Sequence, residues 1–340
     1  MPAPDPIRVL LLGTGFGGLV HAPGFASDPA YRLVGVASGH MDRAKQAAQA
    51  HGIPYATDDW KKMLEEVDAD LVAVVTPVDL HYPMARAALE KRRHVLLEKP
   101  FALNVAQAKE LAALAKSQGV VAIVNHEFRH QPGRAALTQW IADGRLGRVE
   151  HLVMRTRLPG WARSPERRLT WLTEKERGGG FLGALGSHDV DQILLWGGPI
   201  RRVFGRLRLL APSAPGVSAA HRAITAEDCY TLLLEFESGA TGTLATTIKT
   251  PFDWRIAVYG ENCRAESVSE TRAIVRYAGK EPEVIDRPAD NHLGRNLDYF
   301  AKAVLGQGKF PIPPAGILQT AAALEAVFKS VDANGVWTTV

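Results

Sequence analysis

The chain has 340 residues, 46% of them apolar and 22% charged, and a formal net charge of +4. That length suits two domains of a globular protein rather than one core. So small and dispersed a charge excess argues against nucleic acid or a membrane surface as partner. The basic clusters Lys91-Arg92-Arg93 and Arg201-Arg202 read as solvated turns.

Cys229 and Cys263 are the only cysteines, and no Cys-X-X-Cys occurs. A reducing compartment is therefore the default. Met1–Pro6 carries no basic region leading into an apolar run, and no stretch reaches the ~18–20 apolar residues of a membrane span. A cytoplasmic protein is expected.

The chain opens with an apolar strand, Ile7–Leu12, that runs into Gly13-Thr14-Gly15-Phe16-Gly17-Gly18. Gly13, Gly15 and Gly18 fit Gly-X-Gly-X-X-Gly between a strand and a helix. The first glycine makes the tight turn, the second lets backbone approach a pyrophosphate, and the third lets helix and strand pack closely. Further strands are predicted at 32–37, 71–75, 94–97 and 120–124. Helices are predicted at 17–26, 42–51, 58–66, 80–91 and 104–118. Asn104 with Gln107 forms a capping-box pattern at the start of the last. Apolar strands alternating with amphipathic helices predict a doubly wound parallel sheet, a Rossmann domain over residues 1–125. Ligands of such sheets bind beyond the carboxyl ends of the strands. That rule gathers Gly13–Gly18, Ser38, Thr76-Pro77, Glu98-Lys99-Pro100 and Asn125-His126 into one neighbourhood.

From residue 126 to 340 an α+β domain is expected. Its strands, at 149–157, 203–210, 228–236, 242–249, 253–259, 265–269 and 273–277, are joined by short turns and should form a mainly antiparallel open sheet. Helices are predicted near 187–196, 294–305 and 314–333, the last a candidate to pack back on the first domain. Ala211–Ala220 reads as a mobile loop.

Three stretches carry chemistry. The second strand ends at Ser38, where an NAD site would place a carboxylate for the ribose 2′-hydroxyl, and Arg43 and Lys45 follow. A small hydroxyl with nearby cations suits a 2′-phosphate, so NADP is expected, with NAD the alternative. Lys99 at a strand end can stabilise a developing alkoxide, and Glu98 can orient it or bond ribose hydroxyls. The same tripeptide also reads as a surface ion pair before a turn proline. Ser187 can cap a helix that puts His188, Asp191 and Gln192 on one face. His188 is suited to exchange a proton near neutrality; it also reads as a packed histidine at the domain junction.

His126-Glu127-Phe128-Arg129-His130 matches the zinc-peptidase pattern His-Glu-X-X-His, which works only on a helix. Here it follows a strand and precedes Pro132-Gly133, so a loop, a helix starting near Pro132, and no metal are expected.

Together the glycine fingerprint, Glu98-Lys99-Pro100 and the run Gly178-Gly179-Gly180 leading to Gly186-Ser187-His188 with Asp191 resemble the glucose–fructose oxidoreductase / inositol dehydrogenase (Gfo/Idh/MocA) family. Thr76-Pro77 and the Asn104 helix also fit. The resemblance implies an NAD(P)-dependent oxidoreductase acting on a sugar, polyol or related hydroxy compound. It implies catalytic Lys99 and His188, with Asp191, Trp171 and Arg129 on the substrate side. On the cofactor side it implies Gly13, Gly15, Phe16, Gly17, Gly18, Ser38, Arg43, Thr76, Pro77, His81, Glu98, Lys99 and Glu127. A homodimer or homotetramer through the C-terminal sheet is also implied. Two departures stand out. The family's Asp four residues before the histidine is Ala184 here, and its Trp-Arg is Trp171-Leu172. Asp189, Asp191 or Glu127 substitutes for the missing carboxylate, or the chemistry is altered. A cofactor-binding regulator without turnover is the reading from another class, and a glycosidase using bound NAD transiently is a third.

Overall fold

The computed structural model describes residues 5–157, 170–210, 224–247 and 253–340. Two compact units emerge. The first comprises residues 1–127 and 293–318, the second 128–292 and 319–340. The expected mobile loop Ala211–Ala220 and most of the loop Leu158–Leu172 lie outside the described residues.

The first unit is built on six parallel strands: β1 (Ile7–Leu12), β2 (Tyr31–Ala37), β3 (Ala56–Thr57), β4 (Leu71–Val74), β5 (His94–Leu97) and β6 (Ala122–Val124). Their order is β3-β2-β1-β4-β5-β6, with Val9 pairing both Leu33 and Leu71. This is the dinucleotide-binding order, with its switch point between β1 and β4. The central strands are buried along both faces, as continuous apolar runs require. Five helices wrap the sheet: α1 (Ala22–Ser27), α2 (Met41–His51), α3 (Trp60–Glu66), α4 (His81–Glu90) and α5 (Val105–Gln118). Asn104 caps α5, its Oδ1 accepting from the Gln107 amide at 2.9 Å, while Gln107 Oε1 accepts from the Leu103 amide at 3.2 Å.

The second unit carries α6 (Pro132–Ala142), β7 (Val149–Arg157), α7 (Ser187–Gly197), β8 (Ile200–Arg208), β9 (Cys229–Phe236), β10 (Thr241–Thr247), β11 (Asp253–Gly260), β12 (Arg264–Ser267), β13 (Arg272–Arg276) and β14 (Glu283–Asp286). After these come α8 (His292–Val304), α9 (Pro314–Asp332) and β15 (Thr338–Thr339). The sheet has nine strands in the order β14-β13-β12-β11-β7-β10-β9-β8-β15. All pairs are antiparallel except β7 with β10, which run parallel. The expectation of antiparallel neighbours fails there because α7 crosses the sheet between β7 and β8. A helical crossover preserves strand direction, whereas the hairpins β8-β9 and β9-β10 each reverse it.

The last helix, α9, is divided, with residues 314–318 grouped with the first unit and 319–332 with the second. Ala323, Leu324, Ala326 and Val327 of α9 belong to the second unit's core. The helix that completes the first unit is α8. It adds Leu297, Phe300 and Ala301 to the core of Val9, Leu11, Phe25 and Leu71, and the Leu297 carbonyl accepts from the Tyr31 hydroxyl at 2.6 Å. The small side chains Ala323 and Ala326 suit α9 to close approach beneath the sheet, while Phe300 fills volume that β1 and α1 leave open.

Candidate active site

The first unit's candidate residues lie at the carboxyl ends of β1, β2, β4, β5 and β6. Gly13 has φ +103°, and a Cβ there would sit 2.1 Å from the Val75 carbonyl oxygen, so only glycine makes this turn. A Cβ on Gly15 would meet nothing within 4 Å, which leaves its backbone open to a large ligand. Gly17–His21 then forms a wide π-type turn that runs into α1. Ser38 at the end of β2 accepts a hydrogen bond from Thr14 Oγ1 at 2.9 Å, tying the strand end to the glycine loop. Arg43, in the first turn of α2, is exposed. The open Gly15 backbone and the apolar strand beneath it fit a dinucleotide pyrophosphate.

At the next strand ends the side chains are buried and joined. His81 has Nε2 3.0 Å from the Thr76 carbonyl and Nδ1 3.0 Å from the Pro100 carbonyl. Burial drives its pKa down, against the pull of those two carbonyls. Fully buried, His81 braces Thr76-Pro77 against Lys99-Pro100. Glu98 sits at the centre of a polar line. Its Oε1 accepts from His21 Nε2 and from Asn125 Nδ2, each at 2.7 Å, and Asn125 Oδ1 accepts from Asn296 Nδ2 at 2.6 Å. Its Oε2 lies 3.9 Å from Lys99 Nζ and accepts from the Lys99 amide at 3.2 Å. Burial pushes the Glu98 carboxyl up, but the His21 hydrogen bond, the Lys99 charge and the Asn125 amide outweigh it and hold it near 2. The pair reading of Glu98-Lys99 is thus present, but as a buried carboxylate under a partly exposed ammonium rather than a surface bridge. Neither His21 nor Asn296 belongs to any of the motifs read from the sequence.

The second unit's candidate residues are organised around α7. Gly180, at φ +118°, would place a Cβ 2.3 Å from the Glu227 carboxylate. The chain then makes a second π-type turn, Leu182–Gly186, that runs without a break into α7. Ser187 does not cap that helix. Gly186 and Ser187 already have helical backbone angles, and the Ser187 hydroxyl donates back to the Gly183 carbonyl at 2.6 Å. His188, Asp191 and Gln192 are buried on one face of α7. The Phe128 ring stacks on His188 with centroids 4.1 Å apart and planes at 17°, and His292 meets Phe128 edge-on at 6.0 Å.

Asp191 is fully buried and engaged by Arg129 through both carboxylate oxygens, Oδ1 at 2.7 Å from NH2 and Oδ2 against Nε. The two residues expected separately on the substrate side are one ion pair. Asp189 accepts from the Tyr230 hydroxyl at 3.2 Å and faces Arg134 at 3.6 Å. Burial raises the Asp189 carboxyl, against the Arg134 charge, and lowers Arg134. Asp189 is therefore committed to Tyr230 and Arg134. Trp171 lies in a short 3₁₀ turn, Trp171–Thr173.

The His-Glu-X-X-His stretch is not an α-helix. Glu127–His130 is one 3₁₀ turn, and α6 starts at Pro132 as its fixed φ favours. Among the described residues no group of three or more His, Cys, Asp or Glu is placed to hold a metal ion. Among them, too, no helix is long and apolar enough to cross a membrane.

A parallel sheet in dinucleotide order, a glycine turn open to a pyrophosphate, a strand-end Glu-Lys-Pro and a glycine-led helix bearing histidine define a nucleotide-dependent oxidoreductase fold. The oxidoreductase family with an NAD-binding Rossmann fold, Gfo/Idh/MocA, matches residues 7–126, and the C-terminal domain of the same family matches residues 135–266. The chain belongs to this family. It is 31% identical to an uncharacterized oxidoreductase of Synechocystis sp., over 65% of this chain and 60% of that one. It is 28% identical to the levoglucosan dehydrogenase of Pseudarthrobacter phenanthrenivorans, over 71% of this chain and 67% of that one. The matched segment thus spans about two thirds of these relatives or less. A solved levoglucosan dehydrogenase in complex with NADH and levoglucosan shares the fold, with a TM-score of 0.89 over 98% of this chain and 99% of that one, at 22% identity.

Proposed function

We propose that the chain is an NADP-dependent oxidoreductase that interconverts a sugar, polyol or related hydroxy compound and its carbonyl form. The observation that carries this reading is Lys99, an ammonium backed by buried Glu98 at the carboxyl end of β5, in the same row of strand ends as the glycine loop. A bound nicotinamide supplies the hydride donor or acceptor. Lys99 presents positive charge to the oxygen that gains charge as a hydroxyl is oxidised. His188, oriented by Phe128, exchanges the substrate proton. The Arg129–Asp191 pair and Trp171 bind substrate hydroxyls. Gly13, Gly15, Phe16, Gly17 and Gly18 hold the pyrophosphate, while Thr76 and Pro77 line the approach to the nicotinamide. A homo-oligomer formed through the nine-stranded sheet is part of the same reading.

Ser38 supports the choice of NADP. Its hydroxyl is held to Thr14 where a carboxylate would repel a 2′-phosphate, and Arg43 follows in the first turn of α2. The similar levoglucosan dehydrogenase was solved with NADH, so the cofactor is tested first. Fluorescence titration is expected to give tighter binding of NADPH than of NADH, and Ser38→Asp should reverse the order. Tighter NADH binding by the unaltered protein would overturn the NADP assignment. Turnover is then sought in a panel of anhydrosugars, inositols and aldoses, followed by reduced-nicotinamide absorbance. Lys99→Ala should lower kcat about 10²–10⁴-fold while leaving NADPH binding intact; undiminished turnover refutes the role of Lys99.

Ala184 favours one second reading, a cofactor-binding regulator, because no carboxylate stands one turn before His188. Tight NADPH binding with no turnover across the panel is its signature.

A further inference from the structure

We propose that Asn296 and His21 are positioning residues that hold Glu98 in place beneath Lys99. This rests on the reading of Lys99 as the charge that meets the substrate oxygen.

The direction of the hydrogen bonds follows from chemistry. Ionised Glu98 only accepts. Asn125 must therefore turn its Nδ2 toward Oε1, which leaves its Oδ1 as the acceptor for the Asn296 amide. His21 must likewise donate through Nε2. Each amide thus has one allowed orientation, and the line Asn296→Asn125→Glu98 is polarised throughout. Asn125, Asn296 and His21 are all fully buried, so no water competes for these bonds. With two donors holding Oε1, the carboxylate cannot rotate away, and Oε2 is held toward the Lys99 amide and ammonium.

The four side chains come from separate parts of the first unit: the π-turn after the glycine loop, the ends of β5 and β6, and α8. His21 also stands edge-on to Phe16 of the glycine loop, with ring centroids 5.6 Å apart. The line thus joins the glycine loop to the catalytic lysine through the unit's core. Asn296 enters it only because α8 returns to this unit, 171 residues after Asn125.

The test reads Lys99 directly and needs no substrate. The full-length protein is acetylated briefly with acetic anhydride at mildly alkaline pH, and labelling of Lys99 is measured by peptide mass spectrometry against exposed Lys116. Glu98→Gln should raise Lys99 labelling about fivefold by removing the counter-charge. Asn296→Leu, which keeps volume but removes the donor, should raise it about twofold, with NADPH affinity unchanged. His21→Phe is the second variant should Asn296→Leu not fold. Unchanged Lys99 labelling in a folded variant of either position overturns the proposal, even where its Tm falls, because packing alone would lower Tm and leave the lysine untouched. Lys99→Ala in the turnover assay separates the two readings. Retained turnover refutes the lysine's role, whereas altered labelling still establishes the hydrogen-bonded line.

Discussion

Each unit places a buried glutamate against a glycine-led π-turn, and the two glutamates are governed by opposite physics. Glu98 meets the first turn through His21 at its end. Glu227 meets the second at its start, accepting from the Leu182 amide at 2.9 Å while its own carbonyl accepts from Phe181. Glu98 is surrounded by charge and amide donors, and these overcome burial. Glu227 has mainly backbone for company, so burial wins and its carboxyl rises to about 7. One glutamate is a fixed anion and the other sits near its titration point. Burial alone does not decide ionisation; the number and charge of the donors does.

This contrast can be broken from either side. Glu98→Ala should be the most damaging change, costing about 3–5 kcal/mol in chemical denaturation, because it strands buried donors on His21 and Asn125. A loss of less than about 1 kcal/mol would show that the line contributes little to folding. Glu227 predicts the opposite sign. Its pKa is higher folded than unfolded, so the folded state binds the proton more tightly between pH 4.5 and about 7. Stability should therefore fall as pH rises through that window, by about 3 kcal/mol in total, and level off above it. Glu227→Gln keeps an acceptor for the Leu182 amide and carries no charge. It should flatten this dependence and leave the protein more stable than the parent above pH 7, as followed by Tm across pH.

The smallest effect sharpens the comparison at the histidines. His21 is held by a carboxylate, whereas His188 is held by a phenyl ring. Phe128→Leu removes a stack that contributes about 0.5–1.5 kcal/mol. It should lower kcat about tenfold through loss of orientation, with KM for the cofactor unchanged. Phe128→Tyr, which keeps the ring, should restore kcat.

Most of the first unit is legible in the sequence because its signals are local. Apolar runs such as Leu71–Val74 and His94–Leu97 are long enough to show a pattern, and Asn104 with Gln107 marks a helix start within four residues. The glycine spacing and the tripeptide at 98–100 locate the strand-end row for the same reason. β3 and β15 carry no such signal, because two residues have no period. The parallel pairing of β7 with β10 depends on where α7 carries the chain, which no turn residue encodes. In the site, the residues that hold others are the hidden ones. Phe128 is one letter in a zinc-like pattern, Glu227 an acid before a strand, and Asn296 a polar residue in an amphipathic helix. Each acquires its role from a partner far away in sequence, as Asp191 does in joining Arg129 across 62 positions.

The late return of α8 bears on the order in which the protein is made. All six strands of the first sheet leave the ribosome before residue 125, yet Leu297, Phe300 and the Asn296 amide emerge only after the second unit's sheet strands β7 to β14. Until then Phe25 and Tyr31 lack the side chains that cover them, and Asn125 lacks its donor. The nascent nucleotide-binding unit is a sheet waiting for its seal, and a polypeptide released at residue 127 carries that gap permanently.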